Sequence, residues 1–117
     1  MAFKFEKLIV WQKAIDLSEI VYSLTRTFPV EERFVLSNQI QRAADSVSLN
    51  IAEGSTGQTN PEFKRFLGIA LRSNIEVVGC LWLAKKQNII KEDDFNRIYK
   101  ACEEILLMIN GLKASLK

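Results

Sequence analysis

Apolar residues recur along this chain at alternating intervals of four and three positions, in four separate segments. That spacing places one apolar stripe along one face of an α-helix. The pattern therefore predicts helices over residues 8–27, 30–54, 61–87 and 92–115. The four stripes consist of Val10, Ala14, Leu17, Val21, Leu24 and Phe28; Leu36, Ile40, Ala43 and Val47; Phe63, Leu67, Ala70, Asn74, Val77, Leu81 and Ala84; and Ile98, Cys102, Ile105, Ile109, Leu112 and Leu116.

Helix-breaking residues lie between these segments. The residue before Pro29 avoids the α region, so the first helix ends there. Gly54 and Gly57 are placed to end the second helix, because glycine readily adopts positive φ. Asn60, which precedes a proline, is a candidate N-cap for the third helix, and Asn88 a candidate stop.

Short connections between helices of similar length indicate antiparallel neighbours. We therefore predict an all-α fold, an antiparallel up-down-up-down four-helix bundle, occupying residues 1–117 as a single domain. A chain of this length can bury a sufficient core without a metal or disulfide. The alternative is a pair of helical hairpins that closes only on another chain.

Candidate catalytic chemistry is sparse. The chain has no histidine, which removes imidazole metal ligation and the histidine-based catalytic triads. There is no Cys-x-x-Cys pair for zinc, and the segment from Gly54 to Gly57 lacks the lysine and spacing of a phosphate-binding loop. We expect no catalytic residues, no metal and no cofactor, and hence a protein that is not an enzyme.

Cys80 and Cys102 both fall within helical patterns. With no recognisable signal peptide, they are interpreted as reduced, buried thiols. The longest apolar runs are shorter than the roughly 20 residues of a membrane span. These features predict a cytoplasmic protein with no membrane partner.

Two helices carry a second apolar stripe, which a simple bundle core does not need. On the third helix it contains Leu71, Ile75, Val78 and Trp82, and on the first it contains Trp11, Ile15 and Tyr22. One interpretation is a wide core face. The other, which we favour, is a subunit interface formed by Trp11, Ile15, Leu71, Ile75, Val78 and Trp82, because aromatic residues are enriched at such surfaces.

The second helix is unusually polar, and one seam position of the third is an asparagine. This polar set contains Gln39, Arg42, Asp45, Ser46, Asn50, Glu53 and Asn74. The favoured interpretation is a network that fixes register and oligomeric state; a ligand or nucleic-acid contact and a solvated face are alternatives. If Asn74 is buried it needs a hydrogen-bond partner, and Gln39, Arg42 or Ser46 are the candidates.

Positive charge is concentrated in one part of the chain. The net charge is +2 overall, but residues 61–90 hold five Lys or Arg against two Glu, which gives +3. The five are Lys64, Arg65, Arg72, Lys85 and Lys86. Arg65, Arg72 and Lys86 are multiples of seven apart and share one helical stripe. Such a stripe is either a solvated face or a phosphate-binding surface for RNA or DNA. In the second case, the affinity of the protein for nucleic acid would rise if an oligomer repeated the stripe.

These residues resemble a known family, the four-helix-bundle proteins first noted as open reading frames in intervening sequences of bacterial large-subunit ribosomal RNA genes. The stretches that carry the resemblance are Val10-Trp11-Gln12-Lys13-Ala14 with Leu17; Phe28-Pro29 with Glu32, Leu36, Gln39-Ile40 and Arg42-Ala43; Ser46 with Asn50-Ile51-Ala52-Glu53-Gly54; and Phe63, Arg65-Phe66-Leu67, Ile69-Ala70, Ser73 and Glu76. Arg72 and Asn74 depart from the family pattern, which has glycine and an apolar residue there.

The resemblance implies an antiparallel bundle that assembles into a ring-like homopentamer, without an established activity. Relatives are suspected of binding nucleic acid, and a related bundle is the accessory protein of a retroelement reverse transcriptase. The resulting hypothesis is a self-assembling, non-enzymatic bundle whose partners are itself and RNA, DNA or a nucleic-acid enzyme. The alternative is a protein-interaction scaffold or accessory subunit with no direct nucleic-acid role.

Overall fold

The computed structural model describes residues 2–57 and 59–117; the side chains of residues 32–34 are outside that description. Four α-helices dominate it, and no strand occurs among the described residues: α1 Ile9–Thr25, α2 Asn38–Ser55, α3 Asn60–Lys86 and α4 Glu92–Ser115. Each helix packs on the next along the chain, and α4 packs back on α1. The result is a bundle of 44 × 23 × 21 Å. The predicted all-α four-helix bundle is confirmed.

The core consists of the apolar stripes that the sequence pattern picks out. Leu17, Ile40, Leu67 and Ile105, one from each helix, are completely buried. Fully burying an aliphatic side chain of this size stabilises the fold by about 1.5–3 kcal/mol. The periodic stripes therefore supply the main driving force for bundle formation.

The regular part of α2 begins later than the pattern predicts. A 3₁₀ turn, Val30–Glu32, and a π-helical turn, Arg33–Ser37, precede it. Val30 and Val35 are exposed, whereas Leu36 is buried in the core, so one apolar side chain among those described anchors this stretch.

The connection between α2 and α3 also differs from expectation. No described glycine has positive φ, and α2 continues through Gly54 to Ser55. Thr59, not Asn60, is the N-cap of α3, and its side-chain oxygen accepts a hydrogen bond from the Glu62 backbone N–H at 3.2 Å. A threonine hydroxyl satisfies the helix terminus in the same way as the asparagine amide would, so composition alone does not separate the two.

Asn88 ends α3 by adopting φ of 59°. Its backbone N–H bonds to the Lys85 carbonyl at 3.0 Å, and the Ile89 N–H bonds to the Ala84 carbonyl at 2.9 Å. This pair of bonds is a Schellman motif, which satisfies two carbonyls at the helix end. Ile89 then packs against the core, which fixes the turn into α4.

Among the described helices, α3 alone has the length and apolar composition of a membrane span. The buried central helix of a bundle meets the same test. Its buried positions, among them Leu67, Ala70 and Leu81, belong to the core. The core accounts for part of the hydropathy of α3, since 39% of its apolar window is buried.

Candidate nucleic-acid interface and assembly faces

The predicted basic stripe lies on the outward side of α3. Arg65, Arg72 and Lys86 are all exposed, and Gly79 continues the stripe between the last two. The buried side of the same helix, which includes Ala70 and Val77, points into the core. The 27-residue helix thus presents positive charge to solvent in its N-terminal half and at its last residue.

Two of the five predicted basic residues are engaged by neighbouring side chains. Arg65 donates a 2.8 Å hydrogen bond to the Glu62 carboxylate, and its guanidinium lies 4.6 Å from the centre of the Phe66 ring. The hydrogen bond from Arg65 lowers the pKa of the Glu62 carboxyl. The charge of Arg65 is therefore partly neutralised by Glu62, and its side chain packs against residues of its own helix.

Lys85 is held at the other end of α3. Its ammonium lies 3.4 Å from the Glu92 carboxylate, 4.4 Å from the centre of the Phe95 ring and 5.2 Å from that of Trp82. These contacts direct Lys85 toward α4 and away from the outward stripe. The structure thus separates Lys85 from Lys86, although they are adjacent in sequence.

Lys64, Arg72 and Lys86 form no ion pair or side-chain hydrogen bond within the described part of the chain. The structure adds Lys113 of α4, which sequence reasoning missed. Its ammonium lies 3.7 Å from a Cβ atom built at Gly68. The only sequence signal for Lys113 is its place in the last turn of α4, a position that by itself indicates helix-end stabilisation.

The predicted polar set is divided between two sides of the bundle. Between α2 and α3, the Ser73 hydroxyl donates to the Ser46 hydroxyl at 2.9 Å, and the Asn50 amide donates to the same hydroxyl at 2.9 Å. Gln39 reaches Glu76 at 3.4 Å. The Ser73–Ser46 and Gln39–Glu76 bonds join α2 to α3 through polar side chains, and Asn50 supports Ser46 from within α2.

Other members of the polar set lie elsewhere on α2. Asp45 accepts a 2.9 Å hydrogen bond from Gln41, which also donates to the Ser18 carbonyl of α1 at 3.4 Å. Arg42 and Glu53 are exposed. The α2 surface is therefore polar on both of its flanks.

The predicted partners of Asn74 are wrong. Its amide nitrogen donates at 2.8 Å to the Cys102 carbonyl of α4, so the residue faces α4 and not Gln39, Arg42 or Ser46 of α2. Ser73, its neighbour, makes the contact to α2 instead. Asn74 is 2% exposed, and its side-chain oxygen has no hydrogen-bond partner within the described structure.

The second apolar stripe of α3 lies on its α4 side. Trp82 packs edge-on against Phe95 of α4 with ring centres 4.9 Å apart. Ile75 and Val78 line a groove of about 210 Å³ with Tyr99 of α4. Ile75 and Trp82 are about half exposed, and Leu71 and Val78 are half-buried. We call this surface the α3/α4 face: Leu71, Ile75, Val78, Trp82, Tyr99 and Leu106.

The second apolar stripe of α1 lies on its α2 side. Trp11, Ile15 and Tyr22 lie on the same helical stripe as Ser18. The Ser18 carbonyl accepts a hydrogen bond from Gln41 of α2, which places this stripe on the α2 side. Ile15 and Tyr22 are exposed, whereas Trp11 is half-buried and packs on Phe5 with ring centres 4.8 Å apart. We call Trp11, Ile15 and Tyr22 the α1/α2 face. Because the helices follow one another around the bundle, this face is on the opposite side from the α3/α4 face.

No group of three or more carboxylates or thiols within metal-binding distance occurs among the described residues. Cys80 and Cys102 are buried. Burial raises the pKa of both thiols, that of Cys102 to about 12. Such thiols are poor nucleophiles at neutral pH, because the thiolate is the reactive form.

Comparison with known proteins agrees with this architecture. The family model described as 23S rRNA-intervening sequence protein matches residues 6–111. The chain belongs to this family. The resemblance inferred from the sequence motifs is thereby confirmed.

The fold also matches a solved structure. A crystal structure of a protein of unknown function from the S23 ribosomal protein family of Bacteroides thetaiotaomicron superposes with a TM-score of 0.85 at 24% sequence identity, covering 90% of this chain and 98% of the other. At that identity the likeness establishes the shared fold. No match was found among curated proteins.

Proposed function

We propose that this member of the 23S rRNA-intervening sequence protein family assembles from several copies and that the assembly binds RNA or DNA through the outward side of α3. The observation that carries the proposal is that Lys64, Arg72 and Lys86 lack ion-pair partners in the described chain. Unpaired surface cations are available to neutralise phosphates, and each phosphate contact releases counterions.

The two apolar faces support the assembly part of the proposal. Exposed apolar residues cluster on opposite sides of the bundle, and a soluble monomer rarely leaves large apolar patches uncovered. Two different faces on opposite sides favour head-to-tail contacts, in which the α1/α2 face of one copy meets the α3/α4 face of the next. Such heterologous contacts close into rings when the rotation between copies permits, in keeping with the pentamer that the family resemblance implies.

Assembly multiplies the basic surface. A single bundle offers few phosphate contacts, whereas a ring repeats them in every copy, and affinity rises with their number. We expect binding to be weakly sequence-specific, because phosphate contacts carry no sequence information. We further propose that the protein works in the cytoplasm and without a catalytic step of its own.

A salt titration of nucleic-acid binding by fluorescence anisotropy tests the proposal. The assembled protein should bind a labelled duplex, with affinity falling steeply as salt rises. The double variant Arg72→Glu/Lys86→Glu should lose binding while keeping helicity and assembly, because both residues are exposed and unpaired. Equal binding by the variant, or no binding by the wild type at low salt, would overturn the proposal.

The second candidate function is a protein-interaction scaffold or an accessory subunit of a nucleic-acid enzyme. It is favoured by the α3/α4 face, whose exposed Trp82 and Ile75 suit burial against another protein. If the wild-type assembly binds no nucleic acid at low salt, this second candidate function replaces the nucleic-acid-binding proposal.

A further inference from the structure

The Gly68 position leaves a notch on the surface between α3 and α4. Gly68 is half-buried, and its lack of a side chain exposes the helix backbone at this point. On a helix, residues four apart lie one above the other, so Lys64 and Arg72 flank Gly68, one turn on either side. Lys113 reaches the same place from α4, with its ammonium 3.7 Å from a Cβ atom built at position 68.

None of these three cations forms an ion pair within the described part of the chain, although Glu76 lies one turn beyond Arg72. Helix α3 has no carboxylate between Glu62 and Glu76, and α4 has none after Glu104. Glu62 is itself bonded to Arg65. Cationic side chains without ion-pair partners around an open notch provide the donors that a phosphate group requires.

We propose that Lys64, Arg72 and Lys113 form a phosphate-binding notch around Gly68, and that it holds a backbone phosphate of the bound nucleic acid. The proposal rests on the function proposed above and assigns its main phosphate contact. The notch includes Lys113, which belongs to a different helix, and it accounts for the lack of a side chain at Gly68. A side chain there would occupy the space of a phosphate oxygen.

The notch also explains why Arg65 and Lys85 contribute less than their charge suggests. Arg65 is bonded to Glu62, and Lys85 lies against Glu92 and two aromatic rings. Recruiting either to a phosphate would break an existing contact. The cations that bind should therefore be the three around Gly68, with Lys86 as a more distant contact on the same helix.

Two variants with matched controls test the notch. Gly68→Leu fills it without changing charge, and Gly111→Leu makes the same change at an exposed glycine of α4 with nothing within 4 Å. Lys113→Gln removes one notch cation, and Lys100→Gln removes an exposed lysine elsewhere on α4. The measurement is the salt dependence of binding to a labelled duplex, with assembly checked by light scattering.

Gly68→Leu should weaken binding several-fold, and Lys113→Gln should reduce the log–log salt slope by about 0.9 for each phosphate that the variant no longer neutralises. Both control variants should bind like the wild type. If the wild type binds but the notch variants match their controls, the notch is wrong and the proposed function stands. If the wild type itself does not bind at low salt, both proposals fail.

Discussion

Gly54 of α2 lies so close to α3 that a Cβ atom built on it would stand 2.5 Å from the Cβ of Phe66 and 3.0 Å from the Phe63 ring. Real Cβ atoms do not approach one another this closely, so any side chain at position 54 must push the two helices apart. The absence of a side chain therefore permits the close packing of α2 on α3.

Substituting Gly54 with alanine should destabilise the protein, because overpacking a close helix contact costs about 1–3 kcal/mol. Gly79→Ala is the matched control: this glycine is exposed on α3 with nothing within 4 Å, so alanine should stabilise by about 0.5–1 kcal/mol through helix propensity. Urea unfolding of both variants measures the difference. An equal change in the free energy of unfolding at the two positions would show that close helix packing at Gly54 does not determine the effect of the substitution.

Asn74→Leu should hold or raise thermal stability. The substitution removes a buried oxygen that has no hydrogen-bond partner within the described structure, which offsets the removal of the bond to the Cys102 carbonyl, worth about 0.5–1.5 kcal/mol. If Asn74 specifies register or copy number, the variant should also broaden the mass distribution in light scattering. A melting temperature well below that of the wild type, with unchanged assembly, would contradict this prediction.

Because burial raises the pKa of Cys102, the stability of the protein should decrease at alkaline pH. The folded state keeps the thiol protonated up to a pKa of about 12, whereas the unfolded chain loses the proton near its ordinary pKa of about 8.5. The free energy of unfolding should therefore decrease as pH rises from about 8.5 toward 12, by up to about 1.4 kcal/mol per pH unit. Urea unfolding at a series of pH values from about 8 to about 10 measures the slope.

Cys102→Ala is the control for this titration. It removes the thiol while leaving the other groups that ionise in the same range, so its slope above a pH of about 8.5 should be shallower than that of the wild type. Parallel slopes for the two proteins would mean that Cys102 does not contribute.

Head-to-tail assembly predicts a specific result when two defective variants are mixed. Ile15→Glu damages the α1/α2 face and Trp82→Glu damages the α3/α4 face, so each alone should be monomeric, while the wild type has several times the 13.4 kDa subunit mass. In a mixture, the intact α3/α4 face of the Ile15→Glu variant can bind the intact α1/α2 face of the Trp82→Glu variant. The two variants should therefore form a dimer. A mixture that stays monomeric, or a wild type that is monomeric at micromolar concentration, would exclude this arrangement.

The sequence predicted the core well because burial follows periodicity. Leu17, Leu67 and Ile105 occupy stripe positions, and all are completely buried. Periodicity could not predict the irregular turns before Asn38, because the stripe residue Leu36 is buried although its backbone is in a π-helical turn. Nor could it choose the N-cap, since Thr59 and Asn60 are both good capping residues.

The candidate site was less predictable, because side-chain pairing depends on neighbours distant in sequence. Heptad spacing grouped Arg65 with Arg72, but only Arg65 is engaged by a neighbouring carboxylate, that of Glu62. Asn74 faces α4 and not α2 because neighbouring seam positions of one helix point to different partners. Lys113 was missed because only the fold brings it beside Gly68.

The close contact at Gly54 also bears on the shape of the proposed ring. The α1/α2 and α3/α4 faces belong to two helical hairpins, and the α2–α3 spacing sets the angle between them. In a head-to-tail ring that angle determines the curvature from one copy to the next, and hence how many copies complete the circle. In the proposed ring, the missing side chain at Gly54 of each subunit would therefore help to set the diameter of the assembly.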